Sequence, residues 1–509
     1  MSLDSASDGG DDGGGVKRRR VEDERGEQRD AAEAEVSRLL ALPEELRLRI
    51  LTHLPLKAAI RTGALARGWR GLWRSRWPHP SAVEVRLRSR ADPPRELDAL
   101  ARDEPRPRRR LDRFSLVVEE GCDDLRSSDL RRFVAYAAER GAEDLHVDHR
   151  RDTASSRKPS FHLPLASPSL ARLSLRGLAV AGIYYRAAAP PFHALEVIRL
   201  HRVSIAQAAF KRMMAACPAL RTLDLRGCQG DGSLDYGASI RWSGATICWS
   251  GKLCSVTMVG CEGMHLGLGH VRSLRSFRYA GYADSDDDDS VRETPFNLPA
   301  DLTDLYIYMG DRISIKCFPD DLSNLTVLTI SNKALPVVAS LFINDEPTAH
   351  GPMLSNLQSL RELQLLMFKM KGVNLANIYV FVKAVQLPNL ERLFVQFPKD
   401  TCTTNKGICD EVQEEPPKDG LDSLKIVKVM NFSWRSRTQI KLVSFLMSKP
   451  RSLKKLLLVS PDVAPLDMLA VEDADVLLLK EALTSGKIML SESDDDATQA
   501  YHSEVFLEI

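Results

Sequence analysis

The chain has 509 residues, and its 70 lysines and arginines nearly balance its 69 aspartates and glutamates. This balance argues against a general nucleic-acid-binding protein, and the length allows about two to four domains. The nine cysteines include no C-x-x-C pair, so neither a disulfide framework nor a zinc knuckle is expected. The sequence shows no signal peptide and no run of roughly 18 apolar residues that would span a bilayer. We therefore predict a soluble intracellular protein.

The first 36 residues are rich in Gly, Asp, Glu and Arg and contain almost no large apolar side chain. Such a segment cannot bury enough surface to fold, so residues 1–36 are predicted to form a disordered charged leader. The leader contains the basic cluster Lys17, Arg18, Arg19 and Arg20. A nuclear import receptor can bind such a cluster, and a solvated charge run explains it equally well. The predicted location is the nucleus, the cytoplasm or both.

Residues 38–77 are predicted to form a small domain of three helices. Pro43 suits a first helical turn, and Leu46, Ile50 and Leu54 recur every four residues, which places them on one face. Pro55 ends this helix because proline cannot continue the hydrogen-bond ladder.

A short second helix is predicted over residues 56–62, and a third carries Leu65, Trp69, Leu72 and Trp73 on one face. Three helices in about 35 residues make too small a core to fold well without help, so surplus apolar surface should attract a partner. Tryptophans interleaved with arginines could also stack on RNA bases. Because the tryptophans have the spacing of core residues, we favour the core interpretation.

Residues 78–110 are rich in Pro and Arg and are predicted to be a linker, with one possible edge strand at its start. The pattern Leu-x-x-Leu-x-Leu dominates residues 111–470 at intervals typical of ragged leucine-rich repeats. It occurs at Leu170-Leu173-Leu175, Leu195-Ile198-Leu200, Leu220-Leu223-Leu225, Leu253-Val256-Met258, Leu274-Phe277-Tyr279, Leu302-Leu305-Ile307, Leu325-Leu328-Ile330, Leu360-Leu363-Leu365, Leu390-Leu393-Val395, Leu424-Val427-Val429 and Leu453-Leu456-Leu458. Alternate side chains of each strand would point inward, and a repeat buries them only when it stacks on its neighbours.

Other segments fit a repeat architecture. Helices such as residues 206–216 would return the chain across the outer surface, and Cys228 and Cys261 come where repeats place small buried residues. Both thiols are therefore predicted to be structural. Residues 471–509 are predicted to form a C-terminal helix and a loosely held acidic tail. The predicted fold class is α/β, with a small three-helix domain followed by an irregular repeat solenoid.

The sequence contains few of the motifs that mark an active site. There is no phosphate-binding G-x-x-x-x-G-K-[ST] loop, and the aspartate run at 284–289 lacks the glycine and glutamate of a calcium loop. His146 and His149 have a metal-like spacing without a further ligand nearby in sequence, which favours a solvated pair. We expect no enzyme activity, no catalytic residue, no metal and no cofactor.

Taken together, the two halves resemble a plant F-box protein with leucine-rich repeats, of the FBD-like subfamily. The residues that carry the F-box similarity are Leu42, Pro43, Ile50, Leu54, Pro55, Arg61, Thr62, Leu65, Trp69, Arg70, Leu72 and Trp73. The similarity continues through Arg140-Gly141, the strand at 144–147, residues 161–164, Cys217-Pro218-Ala219-Leu220 and Leu223-x-Leu225-x-x-Cys228. The chain departs from the family at Gly63, Gly68 and Gly71, each of which would cost roughly 0.5–1 kcal/mol in a helix.

The resemblance implies a substrate-recognition subunit of a Skp-cullin-F-box ubiquitin ligase. The F-box would dock on a Skp-type adaptor, which ties it to a cullin, and the repeats would hold a protein substrate. The residues carried over as adaptor-facing, or as the core that shapes that face, are Leu42, Pro43, Leu46, Ile50, Leu54, Pro55, Leu65 and Trp69. Docking of an apolar helical face in a groove is the expected binding mode.

On a curved sheet, the residues beside the inward leucines face outward on the concave side. This register exposes Arg172, Arg176, Arg199, Asp224, Arg226, Arg278, Tyr306, Tyr308, Arg392 and Phe394. We predict that Arg176, Arg199, Arg278, Tyr306, Tyr308 and Phe394 bind substrate. Arginine forks suit carboxylates and phosphates, which favours an acidic or phosphorylated segment, although ordinary solvated arginines explain the same pattern. The alternatives are a repeat scaffold that does not direct ubiquitination and, less favoured, an RNA-binding adaptor.

Overall fold

A computed structural model gives the structure of the chain. It describes residues 42–54, 56–65, 69–74, 82–89, 91–102, 111–120, 125–150, 158–163, 167–180, 192–230, 247–281, 296–309, 321–336, 338, 357–368, 370–385, 387–398, 414–417, 421–448, 450–460, 474–492 and 498–502. The predicted leader with its basic cluster and the aspartate run at 284–289 lie outside these residues.

Two helices and a short turn form the N-terminal region. Helix α1 spans Glu44–His53 and α2 spans Leu56–Leu65, followed by a 3-10 turn at Leu72–Arg74. Pro43 is the N-cap residue of α1 and its carbonyl accepts the first backbone hydrogen bonds, and the helix ends at His53, before Pro55, as predicted. Helix α2 is longer than predicted.

The predicted third helix is not present over the described residues 69–74. Leu65 ends α2 instead of starting a new helix, and Gly71 has a φ of 83°. That left-handed conformation suits glycine and is incompatible with a continuous α-helix. The 3-10 turn at Leu72–Arg74 takes the helix's place.

Fifteen strands of the described residues form one parallel sheet. In sheet order they are β1 (Ala82–Leu87), β2 (Arg113–Val118), β3 (Asp144–His149), β5 (Arg172–Arg176), β7 (Val197–His201), β9 (Thr222–Arg226), β11 (Ser255–Val259), β13 (Ser276–Gly281), β15 (Asp304–Met309), β16 (Val327–Ser331), β17 (Glu362–Leu366), β18 (Arg392–Gln396), β19 (Ile426–Met430), β20 (Lys455–Val459) and β21 (Ile488–Ser491). Each strand pairs with its neighbours in order, as expected of stacked repeats. The predicted α/β repeat fold is therefore confirmed.

Smaller elements cover the other side of the repeats. The two-residue strands β4 (Ser160–Phe161), β6 (Ala179–Val180), β8 (Ser204–Ile205) and β10 (Gln229–Gly230) form a second parallel sheet, and β12 (Leu266–Gly267) pairs with β14 (Phe296–Asn297). The helices between strands are α3 (Asp92–Arg102), α4 (Ser127–Glu139), α5 (Gln207–Ala215), α6 (Gly372–Ala384), α7 (Arg437–Ser448) and α8 (Ala474–Thr484). Helix α5 confirms the return helix predicted at 206–216. No helix in the described part of the chain has the length and apolar character needed to cross a bilayer.

The repeat sheet is longer than the leucine pattern predicts. All eleven predicted triplets lie at strands, but the predicted linker 78–110 contains β1 and α3, and β1 pairs with β2. At the other end, β21 adds a strand after α8 within the segment predicted as helix and tail. The possible edge strand predicted at the start of the linker is confirmed as β1, whereas β21 was missed because its segment has less regularly spaced leucines and the neighbouring repeat supplies its hydrogen bonds.

The core lies on one face of the sheet. In each repeat the two alternate apolar residues of the pattern are buried, such as Leu173 and Leu175 in β5 or Leu223 and Leu225 in β9. Polar side chains connect consecutive repeats at the strand entrances. Ser273, for example, donates a hydrogen bond of 2.7 Å to the carbonyl of Leu253 in the preceding repeat. The stacked repeats are thus stabilised by continuous apolar burial and by hydrogen bonds between neighbours.

Several strands end at a residue with left-handed backbone. Gly177, Arg202, Gly227, Gly260 and Asn431 each follow a strand directly and have φ between 53° and 69°. The backbone N–H of Gly177 donates to the carbonyl of His201 at 2.9 Å, which joins this turn to the next strand. The turn therefore continues the backbone hydrogen bonding between neighbouring strands while it changes the direction of the chain.

Candidate functional site

The N-terminal helices enclose a very small core. Leu51, Ala59 and Trp69 are buried together. Leu54, Leu72 and Trp73 are partly buried against them. Trp69 is therefore a core residue, as the sequence spacing indicates. This burial removes Trp69 from any surface on which a nucleotide base could stack.

The same helices expose large apolar side chains. Leu46 is 45% exposed, Ile50 is 37% exposed and Ile60 is 45% exposed. Leu46 and Ile50 are four residues apart on α1 and hence share one face of that helix. Pro43 is also exposed. These residues form the exposed apolar surface of the N-terminal helices, here called the helical patch.

The residues predicted to face or support an adaptor thus occupy different environments. Leu46, Ile50 and Pro43 belong to the helical patch, Leu42 and Leu54 are half-buried, and Trp69 is buried. Pro55 and the side chain of Leu65 lie outside the described part of the structure. The predicted residues that the structure describes therefore fall into two groups. Some are surface residues of the helical patch, and the others help to hold the two helices together.

The face of the sheet opposite the leucine core corresponds to the predicted concave face. Its central row follows the strand register from β2 to β21. The members of this row are Ser115, His146, Ser174, Arg199, Asp224, Thr257, Arg278, Tyr306, Thr329, Gln364, Phe394, Lys428, Leu457 and Met489. The row has an accessible half from β3 to β13 and a covered half from β15 to β20, while Ser115 on β2 is buried and Met489 on β21 is exposed.

The accessible half, from β3 to β13, carries arginines and their acidic partners. Arg176 Nε lies 3.7 Å from Asp148 Oδ1, and Arg226 Nε lies 2.9 Å from Asp224 Oδ1. Arg199, which is exposed, occupies the central row between these pairs. Arg278 is half-buried farther along. The structure therefore places the three predicted substrate-binding arginines on one face and leaves Arg199 the most accessible.

One of the acidic partners, Asp224, is held as a carboxylate. Burial opposes ionisation of Asp224, but hydrogen bonds from His201 and Arg226 bring its pKa below the ordinary value. Burial also lowers the pKa of His146 in the central row. His149 at the end of the same strand is buried, so the two histidines are not the solvated pair that their spacing suggested. Alternation along a strand puts residues three apart on opposite faces of the sheet, which explains the difference.

In the covered half, three predicted substrate-binding residues are buried. Tyr306 is fully buried, Tyr308 is 9% exposed and Phe394 is 1% exposed. The prediction of exposed aromatic residues here is wrong. Tyr308 packs on Phe368 with ring centroids 4.6 Å apart, and His502 from the C-terminal segment packs edge-on against Tyr306 at 5.5 Å. The C-terminal segment that covers Tyr306 is distant in sequence, so the pattern within the strands could not predict this burial.

The cysteines near the strand ends have structural roles. Cys228 is buried and its thiol donates to the carbonyl of Leu200 at 3.1 Å, which confirms the prediction for that residue. Cys261 is half-buried next to it. Burial also raises the pKa of Cys217 to about 12, which keeps it as a thiol. Within the described ranges, no three His, Cys, Asp or Glu side chains come together in an arrangement that could hold a metal ion.

Comparisons with known proteins match both regions. Residues 39–80 match the F-box domain, and residues 130–258 match the leucine-rich repeats of FBD-associated F-box proteins. An FBD-associated F-box protein of Arabidopsis thaliana is 26% identical over 200 residues, which is 37% of this chain and 44% of that relative. The match thus spans less than half the length of the relative.

The order of the matched regions agrees with the structure. The F-box match contains α1, α2 and the helical patch, and the repeat match runs from α4 to β11. Proteins with this combination are typically non-catalytic. The chain therefore carries a match to the F-box domain followed by a match to the leucine-rich repeats of FBD-associated F-box proteins, which is the resemblance that the sequence motifs indicate.

Proposed function

We propose that this chain is the substrate-recognition subunit of a Skp-cullin-F-box ubiquitin ligase. The F-box would dock on a Skp-type adaptor and through it on a cullin, and the repeats would bind a protein substrate. The observation that carries the proposal is the helical patch. Three large apolar side chains, Leu46, Ile50 and Ile60, are exposed on two short helices whose described side chains bury a small cluster between them.

The physical reason is the ratio of exposed to buried apolar surface. Single exposed apolar residues are ordinary, but several of them on so small a unit mark an interaction site. Leu46 and Ile50 present a common face, as does an amphipathic helix that binds in an apolar groove. The matched F-box domain supports the choice of a Skp-type adaptor as the partner.

We further propose that the accessible half of the concave face contacts substrate through Arg176, Arg199 and Arg278. The group that would suit these side chains is a carboxylate or a phosphate. Nuclear import through Lys17, Arg18, Arg19 and Arg20 remains a proposal from the sequence. No enzyme activity is proposed, because the transfer chemistry would belong to other subunits.

The experiment is co-purification of the full chain with a Skp-type adaptor, followed by titration calorimetry. We expect a stable complex, and Leu46→Ala with Ile50→Ala should weaken it by about 2–4 kcal/mol if both residues are hot spots. The matched control is Val373→Ala with Leu477→Ala, which removes exposed apolar side chains from α6 and α8 of the repeats. The control should leave adaptor affinity unchanged.

A wild-type chain that does not bind the adaptor would contradict the proposal. The remaining function would then be that of a repeat scaffold which does not direct ubiquitination. An equal loss of affinity in the control variant would show that the patch is not the docking surface.

A further inference from the structure

The covered half of the concave face contains polar side chains that solvent does not reach. Thr329 and Gln364 are completely buried and Lys428 is 1% exposed, although all three lie on the face opposite the leucine core. Burial of polar groups is costly unless they have hydrogen-bond partners. The C-terminal residues 498–502 lie across these strands and supply partners for this row.

The backbone of the C-terminal segment is held by long side chains from three neighbouring strands. Lys428 Nζ of β19 donates to the Thr498 carbonyl at 2.9 Å, and Arg392 Nη2 of β18 donates to the Gln499 carbonyl at 2.6 Å. The Tyr501 N–H donates to Glu362 Oε1 of β17 at 2.7 Å. Because these contacts involve main-chain groups, other sequences could make them as well.

The side chain of His502 supplies the specific contact. It is fully buried, with Nε2 3.1 Å from Asp304 Oδ1 and Nδ1 2.7 Å from the Thr329 hydroxyl. Its ring packs edge-on against Tyr306. A carboxylate, a hydroxyl and an aromatic wall thus surround one imidazole. By contrast Tyr501, the preceding residue, is 55% exposed.

The partners of the backbone and of His502 form one network. The Thr329 hydroxyl donates to Gln364 Oε1 at 2.7 Å, and Gln364 Nε2 donates to Glu362 Oε1 at 2.7 Å. Glu362 Oε2 lies 2.9 Å from Arg392 Nη1. The groups that hold the main chain are therefore fixed by the groups that recognise the imidazole. Such mutual support pre-organises a binding site.

We propose that β15 to β19 form a peptide-binding groove which residues 498–502 occupy in cis, and that a substrate segment binds the same groove through an extended backbone and a histidine at the position of His502. This inference rests on the proposed function, since it names the segment that the repeats would hold. The C-terminal segment would compete with substrate as an intramolecular ligand. Its linkage to the chain gives it a high effective concentration, so a substrate must bind strongly or the segment must be displaced.

The test uses a fluorescent peptide with the sequence of residues 496–504, DATQAYHSE. Fluorescence anisotropy would measure its binding to the full wild-type chain and to the full chain carrying His502→Ala. We expect the peptide to bind the His502→Ala chain at least about ten-fold more tightly, because loss of the buried imidazole contacts weakens the intramolecular ligand. A peptide in which this histidine is alanine should bind at least about ten-fold more weakly than the original peptide.

Two controls identify the groove. Thr329→Val in the His502→Ala chain removes the hydroxyl from the pocket and should weaken peptide binding, whereas Ser174→Ala on the accessible half should not. A peptide with phenylalanine in place of Tyr501 should lose much less affinity than the alanine peptide, since the Tyr501 ring is largely exposed and its hydroxyl makes one long contact of 3.5 Å with Asp304 Oδ2. Equal binding of the histidine and alanine peptides would overturn the proposal.

A second design avoids reliance on one substitution. A protease site in place of residues 493–497 allows the C-terminal segment to be cut from the folded full chain. Cleavage should increase peptide binding, and unchanged weak binding before and after cleavage would overturn the proposal. Adaptor binding should be the same in all these proteins. Loss of the peptide result with intact adaptor binding would reject the groove alone, whereas loss of adaptor binding in the wild type would reject the ligase function.

Discussion

The F-box helices and the repeat sheet differ in how much apolar surface they leave exposed to solvent. The F-box buries Leu51, Ala59 and Trp69 and leaves Leu46 and Ile50 exposed. The repeat sheet buries its leucines strand after strand, and a distant segment covers even half of its second face. This difference agrees with the proposal that another protein covers the exposed face of the F-box, whereas the described repeats cover their apolar surface with their own chain.

The largest expected effect is on the repeat core. Phe277 is fully buried in β13 and its ring lies 4.8 Å from that of Phe296. Phe277→Ala should lower the free energy of unfolding of the repeat domain by about 3–5 kcal/mol, because it removes apolar burial and leaves a cavity. Urea unfolding followed by circular dichroism would measure the change. Adaptor binding should persist below the transition, and its loss there would show that the two regions depend on each other.

The corresponding change in the F-box is Leu51→Ala. Leu51 is fully buried in the small cluster with Ala59 and Trp69. The substitution should cost about 2–4 kcal/mol, a loss that so small a unit cannot tolerate. We expect adaptor binding to fail while the urea transition of the repeats stays unchanged. Hydrogen exchange of the F-box amides would show the local loss. A shift in the repeat transition would contradict the independence of the two regions.

A smaller effect is expected at a turn between repeats. Gly177 and Gly260 both have positive φ at the end of a strand, but their surroundings differ. A Cβ at Gly177 would collide with the backbone carbonyl of His149, whereas a Cβ at Gly260 would meet nothing within 4 Å. Gly260→Ala should therefore show only the backbone strain, about 1–2 kcal/mol. Gly177→Ala should cost clearly more.

The matched pair separates conformational strain from steric collision. Thermal unfolding of the two variants would measure the difference, and equal losses would show that the turn can move away from His149. Neither variant should alter adaptor affinity, because both turns lie in the repeats. This result would support the contrast between a closed repeat core and a partner-dependent F-box.

The sequence predicted features that depend on local patterns. The Leu-x-x-Leu-x-Leu pattern placed Leu223 and Leu225 in the core because period-two burial recurs in every repeat. The four-residue spacing of Leu46 and Ile50 predicted their shared helical face for the same kind of reason. The third helix was predicted from the spacing of its apolar residues. That prediction was wrong because Gly71 adopts a left-handed backbone conformation, which interrupts a helix.

The covered half of the concave face could not be predicted from any local pattern. His502 contacts Asp304, and nearly two hundred residues separate them along the chain. The segment around His502 is short and polar, so its composition predicts a loose tail. Its position follows from the row of buried polar side chains on β16 to β19, which becomes visible only when the strands are in register. The strand pattern therefore predicted the concave face of the sheet, but not the C-terminal segment that covers half of that face.

The smallest effect on stability is expected at the accessible half of that face. Arg176, Arg199 and Arg278 changed together to alanine should lower the free energy of unfolding by less than about 1 kcal/mol at each site, because Arg199 is exposed and Arg150 still pairs with buried Asp148 when Arg176 is removed. Their effect should instead appear in binding. The wild-type chain should capture acidic phosphoserine peptides from a random pool with an affinity that falls as salt rises. The triple variant should lose this capture.

The control for the triple variant must remove the same charge elsewhere. Arg131, Arg132 and Arg272 are exposed outside the rows of the concave face, and their change to alanine leaves the same net charge on the chain. If binding depends on a site, only the first triple variant should lose it, because contact with arginine forks needs their geometry as well as their charge. An equal loss of peptide capture in both triple variants would indicate that the overall charge of the chain attracts the peptides. Unchanged capture by the variant of Arg176, Arg199 and Arg278 would show that these arginines do not bind substrate. The repeats would then contact substrate elsewhere, and the groove beneath residues 498–502 would be the remaining surface to test.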